Sequence, residues 1–138
     1  AYYGYGPEEN YIDRANGARL GIFEGTPMGN VSRYLVPQEC GGRTGVRWLK
    51  VADRQGHGLK FTAKEKPFDM NVLPYTAQEL ECALHREELC NPPRYTIVSI
   101  LGAARGVGGD DSWGAPVHEE FEISGEKDAW VEFVIEAV

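Results

Sequence analysis

No run of 18 or more apolar residues occurs in these 138 residues, so the sequence offers no membrane-spanning helix. It also lacks an opening charged stretch followed by an apolar core and a small-residue cleavage site, so a soluble chain without an export signal is expected. Basic residues are the minority: 14 Lys and Arg against 21 Asp and Glu, with a formal net charge of -7 and a pI near 5.0. They are scattered, which argues against nucleic acid or an anionic membrane as a partner, because phosphate binding needs clustered positive charge. Cysteine is scarce and odd in number. Cys40, Cys82 and Cys90 match no zinc pattern, although Cys82, His85 and Cys90 are close enough in sequence to raise the question of a metal. The plainer reading is three reduced thiols, small and apolar enough to pack, which suits a cytoplasmic protein, with the periplasm as the alternative.

Glycine and proline are plentiful. Seventeen glycines and eight prolines cut the sequence into short runs rich in Tyr, Val, Ile, Phe and Trp, an all-β signature in a length that fits one domain or part of one. In Ala129–Val138, Val131, Phe133, Ile135 and Ala137 share one face and Glu132 and Glu136 the other, which predicts a strand with one side on a core. Glu120–Ile123 alternates likewise, and the polar Ser124–Asp128 between them predicts a hairpin. A second hairpin is expected from Val46–Asp53 and Leu59–Thr62, turning through Arg54–Gly58. Tyr95–Leu101 and the weaker Phe68–Leu73 are further strands, giving an antiparallel sheet of several strands. The one helix starts at Thr76, where Glu79 can close a capping box, and should run to about Arg86 with Leu80, Ala83 and Leu84 as its apolar stripe. Residues Ala15–Gln38 show neither period and predict a long irregular connection, uncommon in a compact domain unless it is functional or packs on a neighbour.

Three stretches stand out. In Gly6-Pro7-Glu8-Glu9-Asn10-Tyr11-Ile12-Asp13-Arg14 a turn precedes a dense polar cluster, where Arg14 could pair with Asp13 or Glu9 to fix the loop. In Val36-Pro37-Gln38-Glu39-Cys40-Gly41-Gly42-Arg43-Thr44-Gly45-Val46-Arg47-Trp48 a glycine-rich corner enters a strand, with two arginines and a glutamate placed to hold the corner or to join a binding surface. In Gly106–Pro116 four glycines surround Asp110, Asp111, Ser112 and Trp113. Such density of glycine points to backbone shapes closed to other residues. The tryptophan reads equally as a lid over the end of a sandwich or as a ligand platform. The apolar face of a sugar ring packs on indole, and its hydroxyls would find partners in Asp110, Asp111 and Ser112. Asp110 and Asp111 are a poor catalytic pair, since neighbours in an extended segment point to opposite sides and glycoside hydrolysis needs two carboxyls facing one bond. Capping turns or binding loop amides suits them better.

On these stretches the sequence resembles the C-terminal part of family 2 glycoside hydrolase β-galactosidases, the region also called the small chain. The resemblance covers nearly all 138 residues. It rests on G-P-x-E-x-Y-x-D-R at Gly6–Arg14, P-Q-E-x-G-x-R-T-x-V-R-W-L at Pro37–Leu49 and, most specifically, G-V-G-G-D-D-S-W-G at Gly106–Gly114. Leu73-Pro74-Tyr75-Thr76, Glu79-Leu80 and His85 support it, while Cys40 stands where the family often has Asn. The resemblance implies an antiparallel β-sandwich that is part of a supersandwich of the galactose-mutarotase-like class. It implies further that Trp113 matches a tryptophan that reaches the active site of the barrel domain and stacks on the aglycone sugar. The catalytic glutamates and the magnesium and sodium ligands of such enzymes belong to the barrel domain, which nothing here resembles, so no catalytic or metal residue and no cofactor is carried over.

The expected function is thus the C-terminal domain of a β-galactosidase acting on terminal non-reducing β-D-galactose residues. Its partners would be the remaining domains or a large subunit and the galactoside substrate, and the segment alone should be inactive. The abrupt start favours an excised domain over a natural small subunit. The alternatives are a stand-alone carbohydrate-binding module and, from fold class alone, a mutarotase-like aldose epimerase using His118 or His57 with Glu119 or Glu120.

Overall fold

Alternation and turn chemistry put the central hairpin where the sequence predicts it. In the computed structural model, which describes residues 1–138, β4 (Trp48–Ala52) pairs antiparallel with β5 (Gly58–Ala63), Ala52 opposite Gly58 and Trp48 opposite Thr62. Asp53 Oδ1 accepts from the amides of Gln55 and His57 and shapes the turn. Around this hairpin stand β1 (Tyr2–Gly6), β2 (Arg19–Phe23) and β8 (Phe133–Ala137), giving a five-stranded sheet in the order β2-β1-β4-β5-β8. A three-stranded sheet, β3-β6-β7, is built from Arg43–Val46, Phe68–Leu73 and Ile97–Leu101. Every pairing is antiparallel, and the architecture is an all-β sandwich. No helix is long and apolar enough to cross a membrane.

The core lies between the sheets. Tyr2, Leu49 and Phe61 from one and Val46, Phe68, Met70 and Val72 from the other form a buried cluster. Each fully buried side chain there stabilises by about 2 kcal/mol. Phe133 seals one end, its ring 6.1 Å from Phe61 and 6.2 Å from Phe68. A second cluster of Cys40, Leu73, Tyr75 and Leu80 lies under α1 (Ala77–Cys82). Thr76 caps that helix through the expected capping box with Glu79.

Five expectations are corrected. Glu120–Ile123 forms no hairpin with the last strand. Residues Glu119–Phe121 close a 3-10 turn, and β8 pairs instead with β5, Phe61 opposite Ile135. Alternation reported a face and could not name the neighbour. The segment Ala15–Gln38 contains β2, a full partner of β1. That strand escapes pattern reading because Leu20 and Ile22 point to solvent and Arg19 is exposed, while the half-buried positions are Gly21 and Phe23. Val46 belongs to β3 in the other sheet, and the chain changes sheets at Arg47, whose amide donates to Tyr3 O. The helix stops at Ala83, which is extended and buried, so Leu84 leaves the stripe and is exposed. Of the thiols only Cys40 is buried; Cys82 is exposed and Cys90 half-buried.

β7 and β8 each end their sheet, and Gly102 just after β7 approaches Trp130 and Val131 just before β8. The two free edges therefore fall on one side. There the inward face is left open: Leu59 is 46% and Ile135 55% exposed, although Val131 and Phe133 above them pack on the core.

Candidate functional site

The three motif stretches, far apart in sequence, meet. Gly41 donates its amide to Glu9 Oε2 at 2.8 Å, Asn10 donates to Gly42 O at 2.9 Å, and Gly108 donates to Asp13 Oδ2 at 2.7 Å. Between them lies an open cleft of about 490 Å³ lined by Tyr11, Arg14, Tyr34, Glu39 and Gly108.

Glu9 is the node of the first two stretches. Its carboxylate accepts from the Tyr34 hydroxyl at 2.5 Å and the Tyr11 hydroxyl at 3.1 Å as well as from Gly41. Burial is the largest single influence and works to raise its pKa, but the hydrogen bonds from Tyr34, Gly41, Ser32 and Tyr11 together hold it below its ordinary value. The Tyr34 hydroxyl, bonded to that carboxylate, is pushed up to about 12, and Tyr11 is raised as well, chiefly by burial. The expected ion pair of Arg14 with Asp13 or Glu9 does not form: the Glu9 carboxylate is taken by the Tyr34 and Tyr11 hydroxyls and the Gly41 amide, and Asp13 Oδ2 by the Gly108 amide. Asn10, buried, joins the same corner by accepting from the Thr44 amide.

The second stretch is a held corner, as one of its readings has it. Arg43, 8% exposed, donates to Tyr2 Oη, to the carbonyls of Gly41 and Gly42 and to Asn30 Oδ1. Glu39 accepts from buried Asn71, and Arg47 donates to Gly45 O.

In the third stretch Gly108 and Gly109 both have positive φ, +70° and +94°, which turns the backbone in a way L side chains resist. Asp111 Oδ1 accepts from the amides of Trp113 at 2.8 Å and Ala115 at 3.1 Å, the amide-binding role expected of it. Asp110 is hydrogen-bonded to His118, whose pKa it raises through that bond and its charge. Ser112 is exposed. Trp113 is 92% exposed, so the lid reading fails: a lid over the sandwich would lose that surface. What stands there is an indole in solvent on a loop braced by its own carboxylates, an arrangement able to stack on a flat apolar ligand face.

Neither histidine meets the glutamates considered with it. His118 pairs with Asp110, and His57 lies 3.8 Å from Asp53. Cys82, His85 and Cys90 do not converge, and no three His, Cys, Asp or Glu side chains are grouped as metal ligands. Sequence reasoning missed the separate roles of Glu9, Asn10 and Asp13, whose only trace was the polar density of Gly6–Arg14 beside two glycine-rich stretches.

Comparison with known proteins gives the site its setting. The family model described as β-galactosidase small chain matches residues 1–135. A β-galactosidase of Halalkalibacterium halodurans is 49% identical over 135 residues, covering 98% of this chain and 13% of that protein. One from Lactobacillus delbrueckii subsp. bulgaricus is 47% identical, with 98% and 13% covered. A β-galactosidase small subunit of Latilactobacillus sakei is 43% identical, with 92% of this chain and 42% of that subunit covered. The chain thus spans about an eighth of the length of the longer relatives. With residues 1–135 inside the family's model and nearly half its residues shared with such relatives, the chain belongs to the β-galactosidase small chain family.

Proposed function

We propose that this chain is the C-terminal segment of a β-galactosidase that hydrolyses terminal non-reducing β-D-galactose residues, and that it supplies an aromatic substrate contact while the catalytic glutamates lie elsewhere in the enzyme. The observation that carries the reading is Trp113, 92% exposed on a loop braced by Asp111 and by the Asp110–His118 pair. An indole so presented has no packing role within these residues, and a sugar face is a chemically suitable occupant. Asp110, Asp111 and Ser112 stand beside it as polar partners for ring hydroxyls. The same reading makes the 138 residues one part of a larger supersandwich completed by the remaining domains or by a large subunit, with any magnesium or sodium site outside this segment. A cytoplasmic setting fits its three free cysteines, with the periplasm as the alternative, and its scattered basic residues fit a partner other than nucleic acid or membrane.

The test mixes this chain with the rest of its enzyme and follows hydrolysis of a chromogenic β-galactoside. Wild type restores activity, each part alone is inactive, and Trp113→Ala weakens substrate affinity or transfer to acceptor sugar. Complementation indifferent to Trp113 would sink the reading. Galactoside binding by this chain in isolation would favour a stand-alone carbohydrate-binding module instead.

A further inference from the structure

We propose that Asp13 is the positioning residue for the Trp113 platform, acting through the backbone of Gly108. The inference rests on the reading of Trp113 given above. Residues 102–123 carry Trp113 and contain no strand, so something outside them must fix where the indole stands. Within the segment, Asp111 binds the amides of Trp113 and Ala115, Gly106 donates to Phe121 O, and Arg105 pairs with Glu122. These contacts give the loop a shape without giving it a place. The one hydrogen bond from the segment to the rest of the chain runs from the Gly108 amide to Asp13 Oδ2 at 2.7 Å.

Several features show this contact to be built. Gly106 comes so close that an added Cβ would lie 2.7 Å from Asp13 Oδ2 and 2.9 Å from Phe121 Cβ. Gly108 offers its amide from a backbone with φ of +70°, a shape natural only to glycine. The other carboxylate oxygen, Asp13 Oδ1, is enclosed and has no hydrogen-bond partner, so Oδ2 provides the whole hold. Asp13 itself sits in a 3-10 turn begun at Ile12, in which the Arg14 amide donates to Tyr11 O at 2.8 Å. Tyr11 is tied to Glu9, and Glu9 to Gly41. The indole is thereby referenced to the sandwich through a chain of short contacts that ends on the Asp13 carboxylate.

The experiment uses the assembled enzyme with wild type, Asp13→Ala, Asp13→Asn, Gly106→Ala, Trp113→Ala and the Asp13→Ala/Trp113→Ala double variant. Asp13→Ala is expected to reproduce the Trp113→Ala change in KM and in the ratio of transfer to hydrolysis within about threefold, and the double variant to be no worse than Trp113→Ala. Asp13→Asn keeps an acceptor oxygen and restores most of the loss. Gly106→Ala forces the loop off Asp13 while leaving the carboxylate in place, and gives the same change should Asp13→Ala fail to fold. Wild-type kinetics in both Asp13→Ala and Gly106→Ala, or effects that multiply with Trp113→Ala, overturn the proposal. If Trp113→Ala itself changes nothing, the platform reading has failed, and 5-fluorotryptophan resonances still decide the role of Asp13. A Trp113 line, identified by its loss in Trp113→Phe, that sharpens in Asp13→Ala supports anchoring, and an unchanged line overturns it.

Discussion

Arg43 and Tyr2 are locked together in the interior: Arg43 Nε donates to the Tyr2 hydroxyl at 2.9 Å while the guanidinium stands 5.8 Å from the ring centre. No carboxylate faces this buried cation; Nη1 donates to the carbonyls of Gly41 and Gly42 and Nη2 to Asn30 Oδ1. The arrangement needs a planar fork, which lysine cannot supply. Arg43→Lys is therefore expected to reduce unfolding free energy by about 2–3 kcal/mol and Tyr2→Phe by about 1 kcal/mol, read from urea midpoints.

Acid should loosen the corner through Glu9. Its folded pKa is held below the ordinary 4.5, so its contribution is present above that value and is lost as pH falls through the lower folded one. Glu9→Gln should lower stability at neutral pH and flatten this part of the stability profile. A variant whose acid profile overlays wild type would mean that other carboxylates govern the transition.

The Trp113 loop should respond at higher pH. The His118 pKa is raised above its ordinary 6.5 by Asp110, so the pair is fully formed below 6.5 and fades as pH rises through the raised value. An NMR titration of the His118 ring should report that raised value, and Asp110→Asn should return it toward 6.5. No change in the variant would remove Asp110 as its partner.

The capping box isolates a smaller effect. Thr76→Ala removes the acceptor for the Glu79 amide and should destabilise by about 1 kcal/mol. Glu79→Gln, which can still reach the Thr76 amide, should cost less. Thermal melting of both variants makes the comparison.

Free edges on β7 and β8, with Leu59 and Ile135 uncovered between them, make the isolated 138 residues prone to self-association. Sedimentation of the chain alone should show association that Ile135→Lys reduces. A wild-type chain that is monomeric at high concentration would contradict this.

Much of the fold was legible where one pattern did one task. The β4–β5 hairpin, β6, β7 and the Thr76 cap all have apolar positions and turn residues in agreement. β2 was hidden because Leu20 and Ile22 face outward, and the partner of β8 was hidden because the period of a strand carries no information about its neighbour. Of the site, the aspartates' service to loop amides was legible at Asp111, since an Asx turn is a local contact. The role of Asp13 was not, because its partner is distant in sequence and is a backbone amide, which every residue type except proline provides.

That Asp13 and Gly108 stand 95 positions apart also bears on how the chain comes into being. A ribosome that has delivered the first motif must add most of the remaining residues before its carboxylate can be met, and β5 likewise waits for β8. Nascent chains of this kind carry unmatched polar groups and sheet edges through much of their synthesis, and pairing over such separations is slow. The exposed edge of β5 should therefore persist past the emergence of Gly108, until β8 has followed.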